Sequence, residues 1–206
     1  YSSINITLNG CSTLDPGIFS LVDPNAPTPS IINTLDPSGC GTMDAEILIG
    51  GLNANTTYTL DYNFNGNPVT TSTILTTVNG EYLLSGLDEG VYDAISIVLN
   101  SCVGNDAGVY NLFPIVPTIL QPSGDSTYCE GQIMNDLTVV PNFSGSVNWY
   151  DDASLNNIVG NGNSFTVNAL VPGTYSYYVT ETLNGCESAD TIVTVTIVAQ
   201  PYVITS

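Results

Sequence analysis

This sequence predicts an all-β chain of tandem antiparallel β-sandwich modules. Three observations carry that prediction: apolar residues recur with period two, turn signals punctuate them at short intervals, and cysteines mark a repeat of whole-domain size. In TYTLDYNFNG, Tyr58, Leu60, Tyr62 and Phe64 fall on one strand face, with Thr59, Asp61 and Asn63 on the other. In DTIVTVTIV, Val193, Val195 and Ile197 alternate with Thr194 and Thr196. Half-buried strands show this pattern because successive side chains point to opposite faces of a sheet. NGNP (65–68), NGE (79–81), GNGN (160–163) and NG (184–185) supply the turns.

The repeat is read through the cysteines. ITLNGC (6–11), IVLNSC (97–102) and ETLNGC (181–186) align, with Tyr1, Tyr92 and Tyr175 standing 10, 10 and 11 residues before Cys11, Cys102 and Cys186. Two of these tyrosines close an LxxGxY motif, at Leu87–Tyr92 and Leu170–Tyr175. Cys40 in DPSGCG corresponds to Cys129 in STYCEG. Successive late cysteines are 91 and 84 residues apart, and the two early ones 89 apart. The repeat predicts one disulfide per module, Cys40 with Cys102 and Cys129 with Cys186, each closing a loop of 57–62 residues. Each such bridge removes roughly 4 kcal/mol of unfolded-chain freedom and implies an oxidising compartment. Cys11 is left over, with its expected partner in an earlier module.

Proline marks the joints: DPNAPTP (23–29), FPIVPTILQP (113–122) and AQP (199–201). They divide the chain into the last strands of a preceding module (1–27), two modules (28–116 and 117–200) and the first strand of a following one (201–206). Such joints are short and stiff, so the modules read as a semi-rigid stalk. In the second module, Cys129, Trp149 and Cys186 follow the order of the buried tryptophan and disulfide of immunoglobulin domains. Val147 and Trp149 share a face, as an inward-facing third strand requires.

Composition narrows the function. All 19 charged side chains are Asp or Glu, and Lys, Arg and His are absent. The chain therefore has no imidazole base, no Schiff-base amine and no guanidinium clamp, which tells against an enzyme. A formal charge of −19 repels nucleic-acid phosphates. No apolar run is long enough to span a bilayer.

These stretches resemble known repeats. CGTMDAEILIGGLNANTTYTLDYNFNG with GLDEGVYDAISIVLNSC is similar to repeats of giant surface adhesins from gliding, type IX-secreting bacteria. YCEG, VNWYDDASLNNIVGNGNSFTVNALVPGTYSYYVTETLNGC resembles the immunoglobulin-like module of the same secreted proteins, and the two likenesses together cover roughly residues 30–198. The resemblance implies an extracellular, cell-surface, repetitive stalk or filament, with neighbouring modules as partners and no catalytic residues.

Candidate sites are sparse. Asp88, Glu89, Asp151 and Asp152 lie in turns and are the candidate ligands for Ca²⁺ as a cofactor. Asn5, Asn55 and Asn142 head N-glycosylation sequons, and Ser126 and Thr191 lie in short acidic-Ser/Thr motifs of the O-glycosylated kind. Tyr178, on the face opposite Tyr177, is the candidate for stacking on a sugar. Two functions compete with a purely structural segment: an immunoglobulin-like module that recognises carbohydrate or a partner protein, and a subunit of a homo-oligomeric filament assembled by strand donation.

Overall fold

The computed structural model describes residues 7–12, 26–104, 107–119, 122–168 and 171–201. Among them the regular structure is entirely β, and no helix is long and apolar enough to cross a membrane. The expected final strand at 201–206 lies, beyond Pro201, outside the described residues. The chain forms two compact units. One comprises Tyr1–Leu35, Glu46–Ser85 and Gly90–Leu112, the other Asp36–Ala45, Gly86–Glu89 and Phe113–Ser206.

The first unit opens with a hairpin of β1 (Thr7–Leu8) and β2 (Cys11–Ser12). Then follow β3 (Ser30–Leu35), β4 (Ala45–Gly50), β5 (Thr57–Phe64), β6 (Asn67–Leu75), β7 (Tyr82–Leu87), β8 (Gly90–Leu99), β9 (Cys102–Val103) and β10 (Tyr110–Leu112). One sheet has the order β3-β4-β7 and the other β10-β8-β5-β6, with β9 folded onto β8. This is a seven-stranded sandwich of immunoglobulin-like build. Ile47, Ile49 and Leu84 from one sheet, and Tyr58, Leu60, Ile74, Tyr92, Ile95, Ile97 and Leu112 from the other, are buried.

The alternation slips once within β8, where Tyr92 is followed inward by Ile95. Asp61 pairs with Ser96 and Asn63 with Asp93, so β8 carries one extra residue there. Ala94 adopts φ 50°, the left-handed conformation of a bulge. The bulge returns Ile95 and Ile97 to the core, and Asn63 Nδ2 donates to Asp93 Oδ1 at 2.7 Å beside it.

The second unit contains β11 (Ser126–Cys129), β12 (Leu137–Thr138), β13 (Ser146–Tyr150), β14 (Ile158–Asn161), β15 (Ser164–Phe165), β16 (Gly173–Leu183), β17 (Cys186–Glu187) and β18 (Thr191–Val198). Its larger sheet runs β11-β18-β16-β13-β14, with β17 on β16, opposite a β12–β15 pair. β11 runs parallel to β18 while the other pairs here are antiparallel. The first and last strands of the unit can meet this way because the whole unit is their crossover connection.

Val193, Val195 and Ile197 are all buried, as their spacing predicts, and pack with Tyr128, Leu137, Val139, Val147, Val167, Tyr177 and Val179 around Trp149. Trp149 is fully buried and paired with Val179 in the sheet. Its ring stacks on Phe165 at 5.7 Å, and its Nε1–H donates to the Gly162 carbonyl at 2.8 Å. The side chain thus joins both sheets without leaving a buried donor unpaired. Replacing it, Trp149→Ala, is expected to destabilise this unit by about 3–5 kcal/mol through the cavity left behind, read as a lowered urea midpoint. Trp149→Phe should fall between that variant and the native chain.

Candidate functional site

The most elaborated site in the second unit is the tip of the β16–β17 hairpin. Leu183 pairs with Cys186 across Asn184 and Gly185, whose φ angles are 48° and 81°. Two successive left-handed residues make a tight hairpin turn, and Asn-Gly is the pair that adopts it most readily. Cys186 is buried and forms a disulfide with Cys40, with 4.9 Å between the Cα atoms and 146 residues between them in sequence.

The loop carrying Cys40 fits the hairpin closely. Asn184 Nδ2 donates to the Ser38 carbonyl at 3.0 Å. A Cβ at Gly39 would lie 2.0 Å from the Asn184 carbonyl oxygen, so only glycine permits the approach. Asp44 braces the same loop, accepting the Ser38 N–H at 3.0 Å and the Thr42 hydroxyl at 2.7 Å. These hydrogen bonds, from Ser38 foremost and then Thr42, hold the Asp44 carboxyl below the ordinary carboxylate value.

The cysteine pairing therefore differs from the expected Cys40–Cys102 and Cys129–Cys186 bridges. Strand register gives the reason. Cys129 lies opposite Val198 in β18, level with the Gly173 end of β16, whereas Cys186 pairs with Leu183 at the other end. Ten residues of strand separate those ends, about 30 Å at ~3.3 Å per residue, and a disulfide needs its Cα atoms within about 7 Å. Cys129 is an exposed free thiol, as is Cys11. Cys102 sits in the β8–β9 hairpin, its sulfur 3.9 Å from the Asn100 carbonyl, and Cys40 is already bonded to Cys186.

The Asp151-Asp152 loop is held by its own backbone. Asp152 accepts N–H groups from Ser154 at 2.9 Å, Asn156 at 3.2 Å and Asn157 at 2.9 Å, and Asp151 accepts Asn157 Nδ2 at 2.8 Å. The amides, Asn157 foremost, lower the Asp152 pKa from its ordinary value. Asp88 accepts the Glu89 N–H at 2.8 Å. No group of three or more acidic, Cys or His side chains placed to hold a metal occurs among the described residues.

A cavity of about 530 Å³ lies beside β14–β16, walled by Val159, Phe165, Tyr175 and Tyr177 with Asp151 and Asn168 at its polar side. Phe165 and Tyr177 meet at 5.2 Å. Burial, then the nearby Asp151 and Tyr175, raises the Tyr177 pKa. Tyr178 does not line this cavity; it lies on the other face of β16, half-buried and paired with Tyr150. Glu181 escaped the sequence reading, although its register with Tyr177 and Val179 points it inward. It is fully buried, with Oε1 accepting the Gly145 N–H at 2.9 Å and Oε2 meeting no donor among the described residues. A Cβ at Gly145 would lie 2.8 Å from Glu181 Cγ, so the glycine makes the room.

Of the modification candidates, Asn55, Asn142 and Ser126 are exposed and Thr191 is half-buried, while Asn5 lies outside the described residues.

Residues 114–201 match the family of Ig-like domains described as CHU_C associated. No curated protein matches the chain. Among solved structures it is similar to fibronectin(III)-like modules of Clostridium thermocellum CbhA, at 13% identity and a TM-score of 0.34, over 87% of this chain and 100% of that one. It is likewise similar to a two-domain fibronectin type-III segment of chicken tenascin, at 16% identity and a TM-score of 0.33, over 82% and 98%. The BSP domain of a biofilm associated protein is similar at 18% identity and a TM-score of 0.28, over 84% of this chain and 30% of that one.

Two outcomes follow from the site geometry. Reducing Cys40–Cys186, or the change Cys186→Ser, should lower stability by up to about 5 kcal/mol, the loop-closure value for 146 residues. Chemical denaturation with and without reductant measures it. For Asp152, a folded pKa below the unfolded one means that its stabilisation is present above about pH 4. That contribution is lost as pH falls through the depressed folded value. Urea titrations between about pH 2 and 6 should show a shallower acid decline for Asp152→Ala than for the native chain.

Proposed function

We propose that this chain is a structural segment of a long extracellular repeat protein, an adhesin or surface filament in which sandwich modules act as a semi-rigid stalk for attachment or motility. The observation that carries the reading is the repeated sandwich: immunoglobulin-like units recur in one chain, and the Cys40–Cys186 bridge fastens the hairpin tip of the second. Disulfides persist outside the reducing cytoplasm, which supports an extracytoplasmic setting for the segment. The Ig-like domain match over residues 114–201 supports the same reading, as does the likeness of its motifs to adhesin repeats from type IX-secreting bacteria. The partners are neighbouring modules of the same kind, and the segment acts by display and length rather than by catalysis.

One observation favours a second reading, recognition of a neutral carbohydrate. The cavity beside β14–β16 joins aromatic rings to a carboxylate and an amide, the combination that stacks on a sugar ring while accepting and donating hydrogen bonds at its rim. Competition separates the two. An antibody against the segment should label intact cells, and an excess of the purified segment should leave their attachment unchanged. If the soluble segment blocks attachment, and Tyr177→Ala relieves that block, the structural reading gives way to recognition.

A further inference from the structure

The cavity beside β14–β16 arises from unequal strand lengths. β13 pairs with β16 from Ser146 opposite Thr182 to Tyr150 opposite Tyr178, whereas β16 runs on to Gly173 beside β18. Thr174, Tyr175, Ser176 and Tyr177 line the flank beyond the end of β13, and Asp151, the next residue after that end, lies at its rim. The walls are held before any ligand arrives. Phe165 lies between Trp149, stacked on it at 5.7 Å, and Tyr177, inclined to it at 60° with the centroids 5.2 Å apart. Tyr175 donates its hydroxyl to the Val171 carbonyl at 3.0 Å. Asp151 accepts Asn157 Nδ2 at 2.8 Å, and a carboxylate has lone pairs for further donors. An aromatic corner with a fixed carboxylate needs little ordering when a ligand binds.

The charge of this site has one sign. The chain carries 19 carboxylates and no Lys, Arg or His. Burial foremost, then the Asp151 carboxylate and Tyr175, raises the Tyr177 pKa, so that negative charge reaches the cavity wall. The faces of aromatic rings are negative as well and attract an ammonium within about 6 Å. An ammonium alone would fill a fraction of the 530 Å³ and leave Asn168, Thr174 and Ser176 without a role. A sugar ring that bears an ammonium uses both kinds of group: its C–H face meets an aromatic ring, its hydroxyls meet the polar residues, and its charge meets Asp151.

We infer that this cavity prefers a protonated amino sugar, a hexosamine whose ammonium pairs with Asp151 while its ring lies in the corner of Phe165, Tyr175 and Tyr177. The inference rests on the carbohydrate reading above and adds a preference to it. A neutral sugar makes the same ring contacts and lacks the charge-assisted bond to Asp151, which is the stronger kind of hydrogen bond, so it binds more weakly.

The test follows the backbone amide NMR signals of the isotope-labelled whole chain during titration with methyl glucosaminide, methyl glucoside and cyclohexylammonium. The glucosaminide should move the signals of Asp151, Phe165, Asn168, Tyr175 and Tyr177. It should bind at least about tenfold more tightly than either of the other two probes. Asp151→Asn, which keeps an oxygen for Asn157 Nδ2, should lower the glucosaminide to the affinity of the glucoside. The same variant should leave glucoside binding and the urea midpoint unchanged. Equal affinity for the two sugars would overturn the inference while the carbohydrate reading stands. Failure of both sugars to bind at the cavity would overturn the two together. Cyclohexylammonium binding as tightly as the glucosaminide would show a cation site indifferent to the sugar ring, and would overturn the inference. Signals moving at carboxylates across the whole surface, as an adventitious counter-ion produces, would overturn it as well.

Discussion

The absence of any cationic side chain beside 19 carboxylates constrains everything else in this molecule. No side-chain ion pair can form, so each carboxylate drawn toward the fold must be held by neutral donors. The structure repeats that solution at many places. Asp152 takes three backbone amides, Asp125 the Thr194 N–H and Asp136 the hydroxyls of Ser164 and Thr166. Glu187 accepts from Tyr150 and Thr180. A hydrogen bond to a charged group contributes about 1.5–3 kcal/mol, comparable to a good ion pair. The wealth of Thr, Ser and Asn is therefore the complement of the missing Lys and Arg: it supplies the donors.

The same constraint moves structural specificity onto interactions that salt leaves alone. Repulsion among the carboxylates is screened within about 3 Å at molar salt, while apolar burial, hydroxyl-to-carboxylate hydrogen bonds and a disulfide persist. Trp149 and its ring of aliphatic residues hold the second unit together, and the Asn184 and Cys186 contacts fasten the 36–45 loop. None of these contacts depends on a positive charge. Buried Glu181 is the exception that shows the cost, because among the described residues only the Gly145 amide donates to its head, in the space left by the absent Cβ.

Much of the fold was legible because strand periodicity is a local property. The alternations at 58–64 and 191–198 fixed which face is buried, and Val147 with Trp149 placed the central strand. The same logic, carried four residues past Tyr177, would have exposed Glu181 as an inward carboxylate. What stayed hidden depends on long-range register. The Ala94 bulge restores the inward face of β8 through one extra residue, and nothing in VYDAISIV marks which residue is extra. The parallel β11–β18 pair is likewise a tertiary fact, and it carries Cys129 to the wrong end of the sheet for Cys186. Of the candidate site, the Asp151-Asp152 turn was visible as a cluster. The cavity formed by Phe165, Tyr175 and Tyr177 was not, since β15 and β16 are brought together only by the closed sandwich.

The cysteine pairing shows why equivalence within a repeat does not choose a partner. Alignment makes Cys40 equivalent to Cys129 and Cys102 to Cys186, and every early–late combination satisfies it. Entropy chooses weakly: closing 146 residues rather than about 60 changes the loop term by less than about 1 kcal/mol. Geometry decides instead, because a disulfide tolerates only a few ångströms of Cα separation and a β-strand advances more than 3 Å with each residue. Ten residues of strand exclude a Cys129–Cys186 bond that the loop term alone would permit. The close seating of Gly39 against Asn184, with the side-chain amide on Ser38, holds Cys40 beside Cys186. Non-covalent fit and the covalent bond thus favour the same pair.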